Sequence, residues 1–120
     1  MAKFLIVDDA RLARMMLKNI LTEAGHEFIA EAADGLQGEN MYFQHKPDVV
    51  TLDIVMPEVG GIECLQNIIE KDPGAKIIMV SSVGKDSTVD EALKIGAKLF
   101  ITKPFEKDNV LSSIAEILGE

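Results

Sequence analysis

The stretch that decides the fold is Asp48-Val49-Val50-Thr51-Leu52-Asp53-Ile54-Val55-Met56-Pro57. Valine, leucine and isoleucine dominate it and a proline ends it, which is typical of a strand buried on both faces. Asp53 stands at the end of this apolar run, where a carboxylate is costly to remove from water unless another group compensates its charge. We therefore interpret Asp53 as a reactive residue at the end of a buried strand.

Strand-like and helix-like patterns alternate along the rest of the chain. Besides the opening stretch, the patterns predict strands over 4–7, 27–32, 76–80 and 98–102, and helices over 11–24, 36–45, 62–71, a segment ending before Gly96, and 107–118. Repeated strand-helix units of about 25 residues predict one α/β domain over residues 1–120 with a mainly parallel sheet. Right-handed crossovers place helices on both faces of such a sheet.

Composition and charge exclude several classes of protein. The hydrophobic fraction is 48% and the charged fraction 27%, which is typical of a folded domain rather than a disordered chain. The formal net charge of -8, with no visible cluster of Lys and Arg, argues against a nucleic-acid surface. Cys64 is the single cysteine, so we expect a buried thiol rather than an internal disulfide or a zinc site. The first apolar run is too short for a signal peptide or membrane span, which favours a cytoplasmic protein.

Polar residues follow four of the predicted strands. Asp8 and Asp9 follow the first strand, Asp53 the third, Ser81 the fourth and Lys103 the fifth. Because ligands bind at the carboxyl edge of open parallel sheets, we expect these residues to share one site. The pattern alone leaves the order of the strands open.

These residues together resemble the receiver domain of two-component response regulators. The resemblance is carried by Asp8-Asp9, by Asp53 with Met56-Pro57 and Gly60-Gly61, by Ser81-Ser82 and by Lys103-Pro104-Phe105, and it covers essentially the whole chain. It implies a flavodoxin-like (βα)5 fold, a doubly wound parallel sheet in the order 2-1-3-4-5 within a three-layer sandwich. The length is similar to that of the stand-alone receivers of the chemotaxis type.

The acidic residues point to a metal ion. Carboxylates brought together repel by about 1 kcal/mol per pair in water, and by several times more near a protein surface, so the cluster needs a cation. Oxygen ligands of this kind suit Mg²⁺. The resemblance implies that Asp9, Asp53 and the backbone carbonyl of Val55 bind Mg²⁺ directly, and that Asp8 acts mainly through a water. Considered one at a time, Asp8 or Asp9 could instead be a solvated loop residue that caps the next helix.

The resemblance also assigns roles in phosphoryl transfer. Asp53 would be the phosphorylated nucleophile, Lys103 and the metal would offset phosphoryl charge, and the Ser81 hydroxyl would bond a phosphoryl oxygen. Phe100 matches an aromatic position that turns inward on activation, and the Lys103-Pro104 bond is expected to be cis. Plainer interpretations stay open: Ser81 as a turn residue, Lys103 as a surface charge, and Phe100 as a static strand aromatic.

Two apolar residues depart from the commonest receiver pattern. Val55 and Val83 stand where polar residues often flank the phosphoryl group. Our hypothesis is that they disfavour an aligned attacking water and slow the loss of phosphate.

Other classes of protein share parts of the pattern. A nucleotide or flavin binder with the same sheet normally has a Gly-, Ser- or Thr-rich loop after the first strand, where this chain has Asp8-Asp9. A hydrolase that forms an aspartyl phosphate usually has a general acid two residues after the nucleophile, where this chain has Val55. A receiver that serves as a phosphorylation-independent interaction module remains a third alternative.

The resemblance implies partners but does not identify them. We expect a chemotaxis-type histidine kinase as phosphoryl donor, and motor switch, adaptor or phosphatase proteins as readers of the face formed by the fourth helix, fifth strand and fifth helix. We expect a monomer with no nucleic-acid partner and no membrane insertion. It would not be an enzyme beyond catalysing its own phosphoryl transfer and slow autodephosphorylation. The alternative within the family is a phosphorelay intermediate of the sporulation type.

Overall fold

The computed structural model describes residues 2–56, 59–82 and 86–120, so Pro57 and Val83 from the sequence analysis lie outside the described residues. Strands and helices alternate from one end to the other. The elements are β1 (Lys3–Val7), α1 (Arg11–Glu23), β2 (Glu27–Ala32), α2 (Gly35–His45), β3 (Val49–Asp53), α3 (Gly61–Lys71), β4 (Ile77–Ser81), α4 (Ser87–Ile95), β5 (Leu99–Thr102) and α5 (Lys107–Leu118).

The sheet has the order β2-β1-β3-β4-β5, and all of its strand pairs are parallel. This confirms the flavodoxin-like fold and the 2-1-3-4-5 order that the resemblance implied. Because β1 and β3 are neighbours at the centre, their carboxyl ends meet where the strand order reverses, which is the ligand-binding position of open α/β sheets.

Two apolar cores lie on opposite faces of the sheet. Alternate strand residues point to opposite faces, so Leu5 and Val7 join one core while Phe4 and Ile6 join the other. Helices α2, α3 and α4 cover the first core, and α1 and α5 cover the second. The result is the predicted three-layer arrangement of helices, sheet and helices.

Close packing of α2 against β1 explains a glycine inside that helix. A Cβ on Gly38 would lie 2.9 Å from a methyl group of Val7, so only glycine lets the helix approach this closely. Cys64 of α3 is fully buried, as predicted, and its burial raises the pKa of the thiol to about 12. No helix within the described ranges is long and apolar enough to cross a membrane.

Several predicted boundaries are wrong in detail. Asp53 and Ser81 are the last residues of β3 and β4 rather than the first residues after them, because both still pair with the neighbouring strand. In α1 the buried residues are Leu17 and Leu21, whereas Met16 is 39% exposed at the edge of that stripe. Ala24 is exposed because it is the C-cap residue and no longer follows the helical period.

Candidate functional site

Three carboxylates converge at the carboxyl edge of the sheet. Asp8 and Asp9 directly follow β1, and Asp53 ends the adjacent β3. One oxygen from each lies within 4.8 Å of the others, with Asp8 and Asp53 buried and Asp9 exposed. The structure therefore brings these three carboxylates together at one edge of the sheet.

Lys103 supplies a positive charge to this cluster. Its Nζ lies 2.8 Å from Oδ2 of Asp8 and 3.5 Å from Oδ2 of Asp53. The backbone N–H of Lys103 donates to the carbonyl of Ser81 at 2.8 Å, which fixes the start of the β5–α5 loop beside the end of β4. The Lys103-Pro104 bond is cis, as expected.

The electrostatics of the site compensate the negative charge of Asp53 only in part. Burial, together with the negative charge of Asp8, raises the pKa of Asp53 to about 6, and the opposing effect of Lys103 is too small to cancel them. Burial alone would lower the pKa of Lys103, but its hydrogen bond to Asp8 and the charge of Asp53 outweigh burial and raise it. Lys103 therefore stays positively charged, but its charge does not fully compensate the negative charge of Asp53.

Asp8 is held by both of its carboxylate oxygens. Oδ1 accepts a hydrogen bond from the backbone N–H of Ala10 at 2.8 Å, and Oδ2 pairs with Lys103. The backbone N–H of Asp8 donates to Ala32 of β2 at 3.0 Å. These contacts leave Asp9 and Asp53 as the carboxylates better able to offer an oxygen to a cation.

The donor set fits a magnesium ion. The cluster has three acidic side chains and no sulfur or imidazole ligand within its described surroundings, and oxygen donors are those that Mg²⁺ prefers. Burial, and then the negative charge of Asp8, raise the pKa of Asp53, so further positive charge beside it would stabilise its ionised form. A divalent cation would supply that charge.

A small cavity opens beside Asp53. It has a volume of about 140 Å³, and its lining includes Val55, Ser81, Ser82 and Thr88. Val55 is 78% exposed, and Ser81 is buried at the end of β4. The structure thus places the predicted Val55 and Ser81 next to Asp53. Thr88 was missed by the sequence analysis, because nothing in the pattern of α4 distinguishes it from an ordinary first-turn residue.

Phe100 lies within strand β5, three residues before Lys103, rather than at the carboxyl end of that strand. It is a half-buried residue of the edge strand β5, packed against the core that α2, α3 and α4 cover. It pairs with Met79 of β4, two residues before Ser81. This position is compatible with a moving aromatic and with a static one.

Arg14 of α1 also reaches the site and was not singled out from the sequence. Its guanidinium donates to the backbone carbonyl of Asp8. An arginine five residues after an acidic pair is a weak signal, because it becomes informative only when the side chain is seen to point back toward the strand end.

A parallel sheet in this order, with acidic residues and a lysine at its switch point, defines a receiver. The family model described as response regulator receiver domain matches residues 4–115, and the chain belongs to that family. Within the family it is of the CheY chemotaxis type, as the sequence predicted.

Individual relatives support this assignment. The chain is 51% identical over 114 residues to the chemotaxis protein CheY of Listeria monocytogenes, covering 95% of this chain and 96% of that one. It is 49% identical over 117 residues to the CheY of Bacillus subtilis, covering 98% of both. A solved CheX-CheY-BeF3-Mg²⁺ complex from Borrelia burgdorferi contains a chain that is 42% identical, with a TM-score of 0.93 and coverage of 97% and 88%.

Proposed function

We propose that this protein is a phosphoacceptor response regulator in which Asp53 takes a phosphoryl group from a phosphohistidine kinase. The observation that carries the proposal is the meeting of Asp8, Asp9 and Asp53 within 4.8 Å, with Lys103 against two of them. A purely structural cluster would not need three carboxylates at the switch point of the sheet. The family membership and the CheY relatives support the same function.

In the transfer step a carboxylate oxygen of Asp53 forms a bond to phosphorus. The P–N bond to the donor histidine breaks, and its electron pair leaves with the imidazole. Lys103 lies where its ammonium can offset negative charge on the phosphoryl oxygens, and Ser81 lines the adjoining cavity where its hydroxyl can bond one of them. The product is an aspartyl phosphate.

Mg²⁺ would be held by Asp9, Asp53 and the backbone carbonyl of Val55, with Asp8 acting through a water. The double engagement of the Asp8 carboxylate with Ala10 and Lys103 supports this division of roles. Bound Mg²⁺ would supply charge neutralisation and orientation of the phosphoryl oxygens. The solved complex from Borrelia burgdorferi with a 42% identical chain contains Mg²⁺ and BeF3, which supports the proposal of a bound metal ion.

Output would follow from a population shift. A phosphoryl group on Asp53 would draw in Ser81 and Lys103 and bias the face formed by α4, β5 and α5, where Phe100 is the proposed switch aromatic. Motor switch, adaptor or phosphatase proteins would read that face, and a chemotaxis-type histidine kinase would be the donor. The complex of a similar chain with CheX in Borrelia burgdorferi supports a protein partner for a receiver of this kind. The signalling would take place in the cytoplasm, with the receiver as a monomer.

The proposal is tested with a small phosphodonor. The protein is incubated with acetyl phosphate and Mg²⁺, and its intact mass is measured against Asp53→Asn. A single phosphoryl adduct is expected on the wild type alone, and chelation of Mg²⁺ should prevent it. An adduct of equal yield on Asp53→Asn would overturn the assignment.

A further inference from the structure

Arg14 makes two contacts that together bind α1 to the loop after β1. Its Nη1 donates to the backbone carbonyl of Asp8 at 2.6 Å, and its Nε donates to Oε1 of Glu31 at 2.6 Å. The side chain of Arg14 is 16% exposed and that of Glu31 is 46% exposed, so the hydrogen bond to the Asp8 carbonyl is the better shielded of the two. A guanidinium is planar, and contacts from two of its nitrogens therefore determine both its position and its orientation.

The contact is made to the peptide that joins two members of the acidic cluster. The carbonyl of Asp8 belongs to the Asp8–Asp9 peptide, so holding its oxygen limits rotation of that peptide and the direction in which Asp9 projects. Asp9 is the exposed member of the cluster and has the least surrounding structure to hold it. The next residue, Ala10, is the N-cap of α1 and makes no side-chain hydrogen bond; its N–H donates to Oδ1 of Asp8 and its carbonyl accepts from the N–H of Arg14.

Glu31 anchors the guanidinium on the other side. Glu31 belongs to β2 and is paired with Ile6 of β1, which comes two residues before Asp8. Its carboxylate is half-exposed and accepts the Nε hydrogen bond of Arg14. Arg14 thus connects three neighbouring elements at the edge of the acidic cluster without touching its carboxylates.

We propose that Arg14 is a positioning residue for the metal site. By holding the Asp8–Asp9 peptide against β2, it keeps the Asp9 carboxylate within reach of Asp53 before a cation arrives. This inference rests on the proposed function, in which Asp9 and Asp53 bind Mg²⁺ directly.

Charge and position predict opposite effects when Arg14 is replaced. Removing a positive charge near a cation site should by itself tighten Mg²⁺ binding. Loss of the restraint on the Asp8–Asp9 peptide should weaken binding, since residues that orient metal ligands typically contribute about tenfold or more to affinity. The sign of the change therefore separates the two roles.

Arg11 offers a matched control on the same helix. It is exposed in the first turn of α1, and its side chain makes no hydrogen bond within the part of the chain that the structure describes. Arg11→Met removes the same charge close to the acidic pair without touching the Asp8 carbonyl. Arg14→Lys keeps the charge of Arg14 but lacks the planar group that makes both contacts.

The experiment is a calorimetric titration of each folded protein with Mg²⁺. We expect Arg14→Met to bind Mg²⁺ about tenfold more weakly than the wild type, Arg14→Lys to be weakened in the same direction, and Arg11→Met to bind as tightly or more tightly. Should Arg14→Met fail to fold, Arg14→Lys decides. Binding as tight as wild type in the folded Arg14 variants would overturn the proposal.

Amide hydrogen exchange of the metal-free proteins gives a second, independent result. The N–H of Ala10, which bonds Oδ1 of Asp8, should exchange faster in both Arg14 variants but not in Arg11→Met. The N–H of Gly61, bonded to Ile54 across the site, is the internal reference and should not change. Equal changes at Ala10 and Gly61 would indicate general destabilisation and contradict a positioning role. If the wild type itself bound no Mg²⁺, the proposed function would fail, while Ala10 exchange would still decide whether Arg14 holds the loop.

Discussion

The ammonium of Lys103 lies closer to Asp8 than to Asp53, at 2.8 Å and 3.5 Å from their respective Oδ2 atoms. Lys103 is thus held by Asp8 in a position from which it also reaches the proposed phosphoacceptor. Burial and the negative charge of Asp8 keep the pKa of Asp53 raised to about 6 although this lysine lowers it.

Replacing Lys103 with Met should slow phosphorylation of Asp53. The variant loses the ammonium that would offset phosphoryl charge, and removal of one such group typically lowers a rate about 100-fold. The rate is measured with acetyl phosphate at saturating Mg²⁺. Lys107→Met is the control, because Lys107 is exposed and pairs only with Glu23 at 3.5 Å among the described residues. A Lys103→Met rate equal to that of the control would contradict the assigned role.

Replacing Asp53 with Asn should stabilise the metal-free protein at neutral pH. The pKa of Asp53 is raised on folding from 3.8 to about 6, so its ionisation opposes folding. This destabilisation is absent below the unfolded-state pKa, grows as the pH rises through about 6, and is complete above it. Since one pKa unit corresponds to about 1.4 kcal/mol, the gain in the free energy of unfolding should be about 2 to 3 kcal/mol.

Urea unfolding with a chelator present measures this difference at two pH values. The gain should be present at about pH 7.5 and nearly absent at about pH 3, where Asp53 is protonated in both states. A gain that is equal at both pH values would show that the charge of Asp53 is not its cause.

Replacing Val55 with Asn should shorten the lifetime of the aspartyl phosphate. Val55 is 78% exposed and lines the cavity beside Asp53, where an amide could align an attacking water. We expect hydrolysis to accelerate by about tenfold, less than a general base typically provides. The decay is followed by intact mass after the phosphodonor is removed. Val55→Ala is the control, because it adds space beside Asp53 without a polar group. If the aspartyl phosphate of Val55→Ala decayed as fast as that of Val55→Asn, alignment of water by the amide would be refuted.

Replacing Gly61 with Ala should destabilise the fold and disturb Asp53, whereas Gly60→Ala should do neither. A Cβ on Gly61 would overlap the carbonyl oxygen of Asp53, whereas one on Gly60 would come no nearer than 3.7 Å to the Ile54 carbonyl. Overpacking of this kind costs about 1 to 3 kcal/mol. Thermal unfolding and phosphorylation rate are measured for both variants. Equal behaviour of the two would show that the close approach at Gly61 is not required.

The edge position of the site residues was predictable because parallel strands bring their carboxyl ends together. That rule alone placed Asp8, Asp9, Asp53 and Lys103 in one region, and the structure brings them into contact. The order of the strands came from the family resemblance, since the alternating pattern is compatible with more than one arrangement. Strand ends differed by a residue because the pairing of Ser81 with Thr102 depends on a neighbouring strand distant in sequence.

Contacts between side chains and distant backbone atoms were beyond the sequence. The bond from Arg14 to the Asp8 carbonyl depends on how α1 lies against β1 and β2, and no periodicity records that orientation. The preference of Lys103 for Asp8 over Asp53 is a difference of less than 1 Å within one cluster. Met16 is exposed because the buried face of α1 is narrow. A helical period predicts which side of the helix is buried, but it does not predict how wide the buried face is.

The most direct test of the central claim locates the phosphoryl group in the chain. The protein is phosphorylated with acetyl phosphate and Mg²⁺, reduced with borohydride to convert the aspartyl phosphate to homoserine, and digested for peptide mass mapping. The account predicts homoserine at position 53 in the wild type and no conversion in Asp53→Asn. Conversion at Asp8 or Asp9, with Asp53 unmodified, would contradict it.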